Sequence, residues 1–299
     1  MPVAIIINPI SGGAHPDAAR ARAQLALSIV DTHGDPAEVF VTERAGHARE
    51  LAKAAAARGA RLVMAWGGDG TINEVASALA FGDVPLGIVP AGSGNGLARE
   101  LGIDPHPQRA IADALRAEPQ PLDAGEIEGR LFVNLAGVGF DAYVAAQFNA
   151  PGNRRRGLLG YTAISAGAVF GYEAGRYRIS ADDGVMKETR AVIVTIANSA
   201  QFGNGARIAP GALVDDGQLD LVVVEERSRL ATLMQLPRLF NGTVARVPGC
   251  SIRRVRNVVI EADQPMTFHV DGEPVSGGNR LRVRVHPGAL RICVKPTRP

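Results

Sequence analysis

Several features that mark specialised classes of protein are scarce in this sequence. Cys250 and Cys293 are the only cysteines among 299 residues. Two cysteines without zinc-site spacing cannot form a disulfide scaffold, which predicts a reducing, cytoplasmic location. The formal net charge is only +2, which argues against the strongly basic surface of a nucleic-acid-binding protein. The first residues lack a basic segment before an apolar core, so we expect no signal peptide.

Long hydrophobic runs are also missing. The most apolar long window, Gly157–Gly171, is rich in glycine and shorter than the roughly 20 residues that a membrane-spanning helix needs. We therefore expect a soluble protein whose contact with a membrane would be peripheral, at the inner face. The neighbouring residues Arg154–Arg156 fit either an anionic membrane surface or an ordinary solvated face. The sequence leaves the oligomeric state open, a homodimer included.

Three motifs of familiar nucleotide and hydrolase sites are absent. The sequence contains no G-x-x-x-x-G-K-[ST], no G-x-G-x-x-G after its first apolar run and no G-x-S-x-G. Their absence argues against a P-loop NTPase, a dinucleotide-dependent oxidoreductase and an α/β-hydrolase.

The residues that are present predict two domains. Up to about residue 120, apolar runs such as Val3–Ile7 alternate with helical patterns, which is typical of βαβ units on a parallel sheet. Beyond it, short alternating segments separated by turns predict an antiparallel sandwich, interrupted by helical intervals at Gly157–Tyr172 and Leu230–Phe240. We therefore predict a Rossmann-like α/β nucleotide-binding domain over residues 1–120 and a β-sandwich domain over residues 121–299. The predicted sandwich strands include Leu131–Ala136, Val255–Ala262, Leu281–Val285 and Leu290–Val294.

The segment Arg61–Leu79 carries the strongest local signal. Arg61–Trp66 is long enough for one buried strand, and the three glycines that follow surround a single acid, Asp69. Thr71 and Glu74 have the spacing of a capping box, which predicts that a helix begins at Thr71. A glycine turn before a helix N-terminus suits a phosphate, and Asp69 could face a metal or a nucleophile.

Two similar turns follow other predicted strands of the first domain. These turns, Asn8–Gly13 and Ala91–Gly96, resemble Gly67–Asn73 in their glycine content. Because open α/β sheets bind ligands at the carboxyl ends of their strands, we expect the three turns to share one site. Backbone N–H groups in glycine turns bind anions, so we predict that the site holds a polyphosphate, most simply a nucleotide.

Two acidic turns lie in the second half of the chain. Asp215–Asp220 reads D-D-G-Q-L-D, and its carboxylates suit a hard cation. His269–Pro274 reads H-V-D-G-E-P, and its two acids could supply a general base or a metal ligand. Each turn is also explained by a hairpin, for which Asp-Gly is a strong short signal. The residues alone leave both interpretations open.

Together these motifs resemble the catalytic domain of the diacylglycerol kinase and sphingosine kinase family of lipid kinases. The resemblance spans almost the whole chain and rests on N-P and S-G-G in residues 8–13, G-G-D-G-T in 67–71, P-A-G-S-G-N in 90–95, N-L-A-G-V-G-F-D in 134–141, D-D-G-Q-L-D in 215–220 and D-G-E in 271–273. It implies an N-terminal α/β domain of the type shared by NAD kinase and diacylglycerol kinase, a C-terminal β-sandwich, and ATP in the cleft between them.

The resemblance also implies roles for individual residues. Glu273 would take the proton from a lipid hydroxyl, and Asp69 would organise Mg²⁺ near the transferred phosphoryl group. Asp216, with the carbonyls of Leu213 and Gln218, would hold a second, structural Mg²⁺. The residues implied to contact ATP are Asn8, Pro9, Ile10, Ser11, Gly12, Thr42, Gly67, Gly68, Asp69, Gly70, Thr71, Ile72, Asn73 and Ser93.

One position departs from the family's pattern. Bacterial diacylglycerol kinases of this family often have Asp after the Asn of the third turn, whereas this chain has Gly96, as in the sphingosine kinase form. The acceptor therefore stays open among diacylglycerol, a sphingoid base and related lipids, in a slot expected around Val138–Phe148 and Gly157–Tyr172. Two alternatives remain: a small-molecule kinase similar to NAD kinase, which shares the G-G-D-G turn, and a non-catalytic nucleotide-binding regulatory protein.

Overall fold

The chain divides into two compact units. One comprises Met1–Leu122 with Gly288–Pro299, and the other comprises Asp123–Pro287. The boundary predicted at residue 120 lies beside this division, and the residues from Gly288 on group with the N-terminal unit rather than with the rest of the predicted second domain. The computed structural model describes residues 1–13, 17–148, 150, 164, 167–168, 171–182, 184–203, 206–227, 238 and 242–295.

The N-terminal unit is a parallel sheet with helical crossovers. Its elements are β1 (Val3–Ile7), α1 (Asp17–Thr32), β2 (Ala37–Val41), α2 (His47–Ala57), β3 (Leu62–Gly67), α3 (Asp69–Leu79), β4 (Leu86–Pro90), α4 (Gly96–Glu100) and α5 (Pro107–Arg116). The strands lie in the order β2-β1-β3-β4, and each neighbouring pair is parallel. β1 and β3 are buried along their whole length, which explains why they read as unbroken apolar runs.

The strand order places a ligand crevice in this sheet. β1 lies between β2 and β3, so the chain leaves β1 to one side and later returns to its other side. Such a reversal is a topological switch point, and ligands of open α/β sheets bind outside the carboxyl ends of the strands there. The turns that follow β1 and β3 therefore occupy the position where this fold binds ligands.

The second unit is an antiparallel β-sandwich. The elements from Pro119 on are β5 (Pro119–Ile127), β6 (Arg130–Phe132), β7 (Leu135–Gly139), α6 (Phe140–Phe148), β8 (Gly175–Ala181), β9 (Lys187–Ala197), β10 (Gln201–Gly203), β11 (Ala206–Arg207), β12 (Leu219–Glu225), a 3₁₀ turn (Val244–Arg246), β13 (Cys250–Val255), β14 (Asn257–Ala262), β15 (Thr267–Val270), β16 (Glu273–Ser276) and β17 (Arg280–Cys293). The long strand β9 pairs with β8 through its first half and with β7 and β12 through its second half. Phe132, Ile260 and Phe268 are among the side chains buried in the core of this unit.

The end of β17 explains why the last residues belong with the first unit. Ile292 pairs in parallel with Leu86 of β4, and the Phe81 N–H donates to Ala289 O at 2.7 Å. Leu290 and Ile292 are each 1% exposed. The predicted pair of strands Leu281–Val285 and Leu290–Val294 is therefore one continuous strand, and its far end completes the N-terminal sheet.

Two predicted strands are broken where a carboxylate takes up the backbone N–H groups. The predicted strand Leu131–Ala136 is divided into β6 and β7, because the N–H groups of Val133, Asn134 and Leu135 donate to Asp271. The predicted strand Val255–Ala262 is likewise interrupted at Arg256 between β13 and β14, where two N–H groups donate to the Asp182 carboxylate.

Helix α6 was not predicted, since it buries Asp141 together with its apolar residues and so offers no periodic contrast between a polar and an apolar face. The helical intervals predicted at Gly157–Tyr172 and Leu230–Phe240 lie mostly outside the described residues. Among the described residues, no helix combines the length and the apolar character needed to cross a bilayer.

Candidate active site

The three glycine turns of the N-terminal unit lie against one another, as predicted. Asn8 Nδ2 donates to Thr71 Oγ1 at 2.9 Å, and the Gly68 N–H donates to Ser11 Oγ at 3.2 Å. These two bonds fasten the turn after β1 to the turn after β3. The third turn begins where the Ala91 N–H donates to Gly67 O, at the end of β3, at 2.8 Å, and Gly92 of the third turn packs against Gly68 of the second. The expectation that the three turns converge is confirmed.

Glycine is required where the turns touch. A Cβ on Gly92 would lie 2.7 Å from Gly68 Cα, and a Cβ on Gly12 would lie 2.7 Å from Ala91 O. Side-chain carbons do not approach backbone atoms this closely, and Gly12 also has a φ of +77°. The glycine content of the turns therefore reflects backbone packed directly against backbone, which leaves a surface of peptide groups for a ligand.

Asp69 joins the second turn to the third. Its Oδ2 accepts the Asn95 N–H at 2.9 Å, and its Oδ1 accepts the Gly96 N–H at 2.8 Å. The carboxylate therefore satisfies N–H groups at the start of the short helix α4. A carboxylate is the kind of oxygen ligand that suits the Mg²⁺ that the resemblance implies.

The prediction that a helix begins at Thr71 is wrong. Helix α3 begins at Asp69 after an extended Gly68, and no side chain caps it. Thr71 is buried, with its hydroxyl accepting the Asn8 amide. Glu74, the other half of the expected capping box, instead accepts the N–H groups of Gly46 and Ala48 at 2.8 and 3.0 Å, and so caps α2.

The other predicted ATP contacts differ in their exposure. Ser93 is exposed in the third turn, and Ile10 is 77% exposed in the first. Thr42 is nearly buried, and its N–H donates to Ile7 O at 2.9 Å. Ile72 is 1% exposed and its N–H donates within α3, so its burial does not support a contact with ATP.

Sequence reasoning missed Arg22, which supports the first turn. The guanidinium of Arg22 donates to Asn8 O and to Ser11 O, both at 2.9 Å, and lies over the Trp66 ring at 5.8 Å from its centroid. Burial lowers the pKa of Arg22 from its ordinary value. One arginine inside a helix gives no sequence signal for this role, because only the fold brings α1 over the turn.

In the second unit, the Asp-Gly turn before Glu273 is a tight hairpin. Asp271 and Gly272 have φ angles of 48° and 86°, and Val270 pairs directly with Glu273 across β15 and β16. Positive φ at both central residues is the geometry of a two-residue hairpin turn. The Asp271 carboxylate accepts N–H groups from residues 133–135 at 2.9–3.0 Å. Asp271 therefore anchors the turn, and Glu273 is exposed immediately after it.

The second acidic turn is held by a residue outside its motif. The Gly217 N–H donates to Asp123 Oδ2 at 2.6 Å, and the Gln218 N–H donates to Asp216 Oδ1 at 3.0 Å. Arg254 Nη1 lies 3.8 Å from Asp216 Oδ2. Burial raises the pKa of Asp220, which follows this turn at the start of β12, although the Arg254 charge opposes the shift.

The structural Mg²⁺ remains a prediction. Within the part of the chain that the structure describes, no group of three or more His, Cys, Asp or Glu side chains could hold a metal. The implied site is of another kind, with one carboxylate from Asp216 and the carbonyls of Leu213 and Gln218. Oxygen donors of this type suit Mg²⁺, which keeps several waters and needs few protein ligands.

The N-L-A-G-V-G-F-D motif of residues 134–141 packs a buried acid over a glycine. Gly137 of β7 pairs with Thr195 of β9 on one side and with His269 of β15 on the other. The Asp141 carboxylate lies above this row, and a Cβ on Gly137 would lie 2.3 Å from Asp141 Oδ2. Asp141 Oδ2 accepts the Thr195 hydroxyl at 2.6 Å and lies 3.2 Å from His269 Nε2. The motif therefore builds a buried polar cluster.

The lipid slot was expected partly on α6, and this helix carries aromatic rings. Tyr172 contacts Phe140 and Tyr143, with ring centroids 5.5 and 5.4 Å apart. Tyr143 is 38% exposed, and burial raises the pKa of Tyr172 well above its usual range. The rest of the expected slot, within 157–171, lies mostly outside the described residues.

The chain is similar to known proteins along nearly its whole length. Residues 2–127 match the diacylglycerol kinase catalytic domain, and residues 134–294 match the YegS C-terminal NAD kinase beta sandwich-like domain. A protein of Pseudomonas aeruginosa named "Probable lipid kinase YegS-like" is 36% identical over 85% of this chain and 83% of its own length. A protein of the same name from Serratia proteamaculans is 30% identical over 99% of this chain and 94% of its own.

Solved structures show the same fold. The crystal structure of a diacylglycerol kinase from Bacillus anthracis has a TM-score of 0.76 at 20% identity and covers 99% of this chain and 97% of its own. The structure of yeast NADH kinase complexed with NADH has a TM-score of 0.52 at 11% identity and covers 99% and 84%. At these identities the likeness concerns the fold alone. The predicted N-terminal α/β domain and C-terminal β-sandwich are confirmed.

Proposed function

Because the chain belongs to the lipid kinases that combine a diacylglycerol kinase catalytic domain with a YegS-type C-terminal domain, we propose that it transfers the γ-phosphoryl group of ATP to a lipid hydroxyl with the help of Mg²⁺. One observation carries the nucleotide part of this proposal. Three glycine turns meet at the switch point of the sheet, with peptide N–H groups and the Asp69 carboxylate in the same small region.

Phosphoryl transfer depends mainly on positioning and on neutralising charge. The glycine turns would hold the phosphates through backbone N–H groups, as nests of this kind do for anions. The Asp69 carboxylate, which is placed by its bonds to the Asn95 and Gly96 N–H groups, would bind Mg²⁺. Mg²⁺, when bound, supplies the positive charge that stabilises the phosphoryl group in transit.

The acceptor hydroxyl must lose its proton, and we assign this step to Glu273. It is exposed at the start of β16, and the hairpin turn before it is fixed by three hydrogen bonds to Asp271. A carboxylate in such a fixed position can act as a general base once the substrate is bound. We assign the role to Glu273 and not to its neighbour Asp271, because the Asp271 carboxylate accepts three backbone N–H groups, which favour its charged form and so weaken it as a base.

Glu273→Gln tests this assignment. We expect kcat to fall by about 10²–10⁴-fold, the usual contribution of a general base, while ATP still binds with unchanged affinity by titration calorimetry. Glu188→Gln is the matched control, because Glu188 is an exposed glutamate on a strand of the same unit, and its kcat should stay near the wild-type value. An unchanged kcat for Glu273→Gln would remove this residue from the mechanism.

The acceptor class is supported by the family and by the aromatic rings on α6. An apolar surface beside a polar reaction centre suits a lipid with a hydroxyl headgroup. The test is an assay with γ-labelled ATP, Mg²⁺ and mixed micelles of diacylglycerol, sphingoid base or phosphatidylglycerol. Label in the organic phase supports a lipid acceptor, whereas label transferred only to a water-soluble acceptor such as NAD favours the alternative that the fold shares with NADH kinase.

A non-catalytic nucleotide-binding protein is the remaining alternative. It would bind ATP in the calorimeter but transfer label to no acceptor of either class.

A peripheral contact with the membrane belongs to the proposed function, because the acceptor resides in a bilayer. Sedimentation with vesicles tests it: binding to anionic vesicles that weakens as salt rises supports the contact.

A further inference from the structure

A buried pair of side chains joins the hairpin that carries Glu273 to the start of α6. His269 is 1% exposed and Asp141 is 4% exposed, and His269 Nε2 lies 3.2 Å from Asp141 Oδ2. Thr195, which is fully buried, donates its hydroxyl to the same Oδ2 at 2.6 Å. The Ala142 N–H donates to Asp141 Oδ1 at 2.8 Å. The carboxylate is thus held on both oxygens, at the start of α6.

The hydrogen bonds fix which ring nitrogen of His269 carries the proton. The Gly272 N–H donates to His269 Nδ1 at 3.4 Å. A peptide N–H can only donate, so Nδ1 must be the unprotonated nitrogen of a neutral ring. The ring proton is then on Nε2, where it points to Asp141 Oδ2. The carboxylate of Asp141 therefore selects the tautomer that can accept from Gly272.

Gly272 is the residue between the anchor Asp271 and the proposed base Glu273. Asp271 already fixes the first half of the turn through N–H groups on β7 and the segment before it. His269 reaches the second half of the turn from the strand that precedes it. The position of this second half of the turn determines where the side chain of the next residue, Glu273, lies.

We propose that His269 is a positioning residue for Glu273: oriented by Asp141, it holds the Gly272 N–H and so fixes the turn from which Glu273 extends. This inference rests on the proposed role of Glu273 as the general base. It assigns a function to Asp141, the buried acid of the N-L-A-G-V-G-F-D motif. Asp141 orients the His269 imidazole and does not contact the substrate.

Two substitutions of His269 each keep one of its two hydrogen bonds and remove the other. In His269→Asn, the amide oxygen can occupy the position of Nδ1 and accept from Gly272, but the side chain is too short to reach Asp141. In His269→Gln, the amide nitrogen can occupy the position of Nε2 and donate to Asp141, but the bond from the Gly272 N–H to the side chain of residue 269 is lost. His269→Phe fills the space and makes neither bond.

For His269→Asn and His269→Gln, we expect the order of kcat to be opposite to the order of stability. His269→Asn should keep kcat within about threefold of wild type, whereas His269→Gln and His269→Phe should lose about tenfold or more, because small misplacements of a catalytic group are costly. KM for ATP and for the lipid should change little in all three variants. In urea, His269→Gln should be more stable than His269→Asn, since it keeps the bond to the buried Asp141. If kcat follows stability instead, His269 is only structural and the proposal is wrong.

Two measurements on the folded protein test whether His269 holds the turn, and neither measurement depends on catalytic activity. The ¹⁵N spectrum of the imidazoles, assigned by comparison with His269→Phe, should show His269 neutral with the proton on Nε2; a proton on Nδ1 overturns the proposal. Amide hydrogen exchange at Gly272 should be slow in the wild type and in His269→Asn, and fast in His269→Gln. Equal exchange in both variants also overturns it. If the wild type phosphorylates no lipid, the proposed function fails, while these two measurements still decide whether His269 holds the turn.

Discussion

At the scale of single residues, the contact between Gly137 and Asp141 leaves little room for change. A Cβ at position 137 would meet Asp141 Oδ2 at 2.3 Å and Val194 O at 3.0 Å, and neither neighbour can withdraw easily from the sheet. We expect Gly137→Ala to lower the free energy of unfolding by at least ~2 kcal/mol, as overpacking in a core does. Urea unfolding measures this cost. Gly211→Ala is the control, because nothing lies within 4 Å of its added Cβ, and an equal loss there would contradict the explanation.

A second prediction at this scale concerns pH. Arg61 donates two hydrogen bonds to Asp35, one of them at 2.8 Å to Oδ1, and these bonds hold the pKa of Asp35 below its usual range. A lowered pKa means that the carboxylate stabilises the fold above the unfolded-state value of about 3.9, and that this stabilisation disappears as pH falls through the folded-state pKa.

Asp35→Asn should therefore cost about 1 kcal/mol of unfolding free energy at pH 7, and the difference from wild type should shrink towards zero in the acid range. Unfolding curves in urea between pH 7 and pH 2.5 test this. Asp31→Asn, on the exposed end of α1, serves as the control. A difference for Asp35→Asn that grows as the pH falls would have the wrong sign for this mechanism.

The chemistry of individual residues was predictable to different degrees. Asp69 stood out because one acid among three glycines has few ordinary explanations. Asp271 and Glu273 lie two positions apart, and the residues alone did not separate the anchor from the proposed base. The difference arises from backbone N–H groups more than a hundred positions earlier in the chain, and no local pattern contains them. The role of Arg22 in supporting the first turn could not be predicted for the same reason.

At the scale of elements, one carboxylate caps a helix to which it does not belong. Glu74 of α3 accepts the N–H groups of Gly46 and Ala48 at the start of α2. Those N–H groups have no partner within α2, because the first turn of a helix leaves its donors unpaired. Glu74→Ala should lower the free energy of unfolding by about 1–2 kcal/mol, as loss of a cap does.

Glu50→Ala is the comparison for this prediction. Glu50 lies in the first turn of α2 and pairs with Arg44 at 2.6 Å, but both side chains are more than half exposed. An exposed pair adds little, so Glu50→Ala should cost clearly less than Glu74→Ala in the same urea titration. If the two variants are equally stable, the bonds from Gly46 and Ala48 contribute nothing beyond surface charge.

This cap also explains how a correct motif gave a wrong element boundary. The spacing of Thr71 and Glu74 matches a capping box, and both residues do make hydrogen bonds, but with Asn8 and with α2. Tertiary partners replaced the local ones. By contrast, the runs that became β1 and β3 were predicted closely, because a strand buried on both faces has one composition whatever surrounds it.

At the scale of the whole chain, alternation of side chains could not show where a strand would pair. Residues 281–294 read as two strands of the sandwich, yet they form the single strand β17, which begins in the second unit and ends beside β4 of the first. The period of two identifies a strand and its two faces, but it carries no information about the neighbouring strand. The N-terminal domain therefore looked complete at residue 120 although its sheet takes a strand from the end of the chain.

The return of the chain makes the N-terminal unit dependent on its last residues. Leu290 and Ile292 are each 1% exposed, and Cys293 is 6% exposed; its burial raises the pKa of the thiol to about 11. Burying one large aliphatic side chain contributes about 1.5–3 kcal/mol. A chain that ends at Pro287 should therefore lose at least ~3 kcal/mol of unfolding free energy in urea.

A chain that ends at Lys295 is the control for this truncation, since it keeps β17 and the ion pair between Lys295 and Asp113 at 3.2 Å. It should keep clearly more of the unfolding free energy than the chain that ends at Pro287. The thiol offers a second measurement, because Cys293 should react with a disulfide reagent only when the end of β17 leaves the sheet. Fast labelling of Cys293 in native buffer, together with an undiminished stability of the shorter chain, would mean that the N-terminal sheet is complete without its last strand.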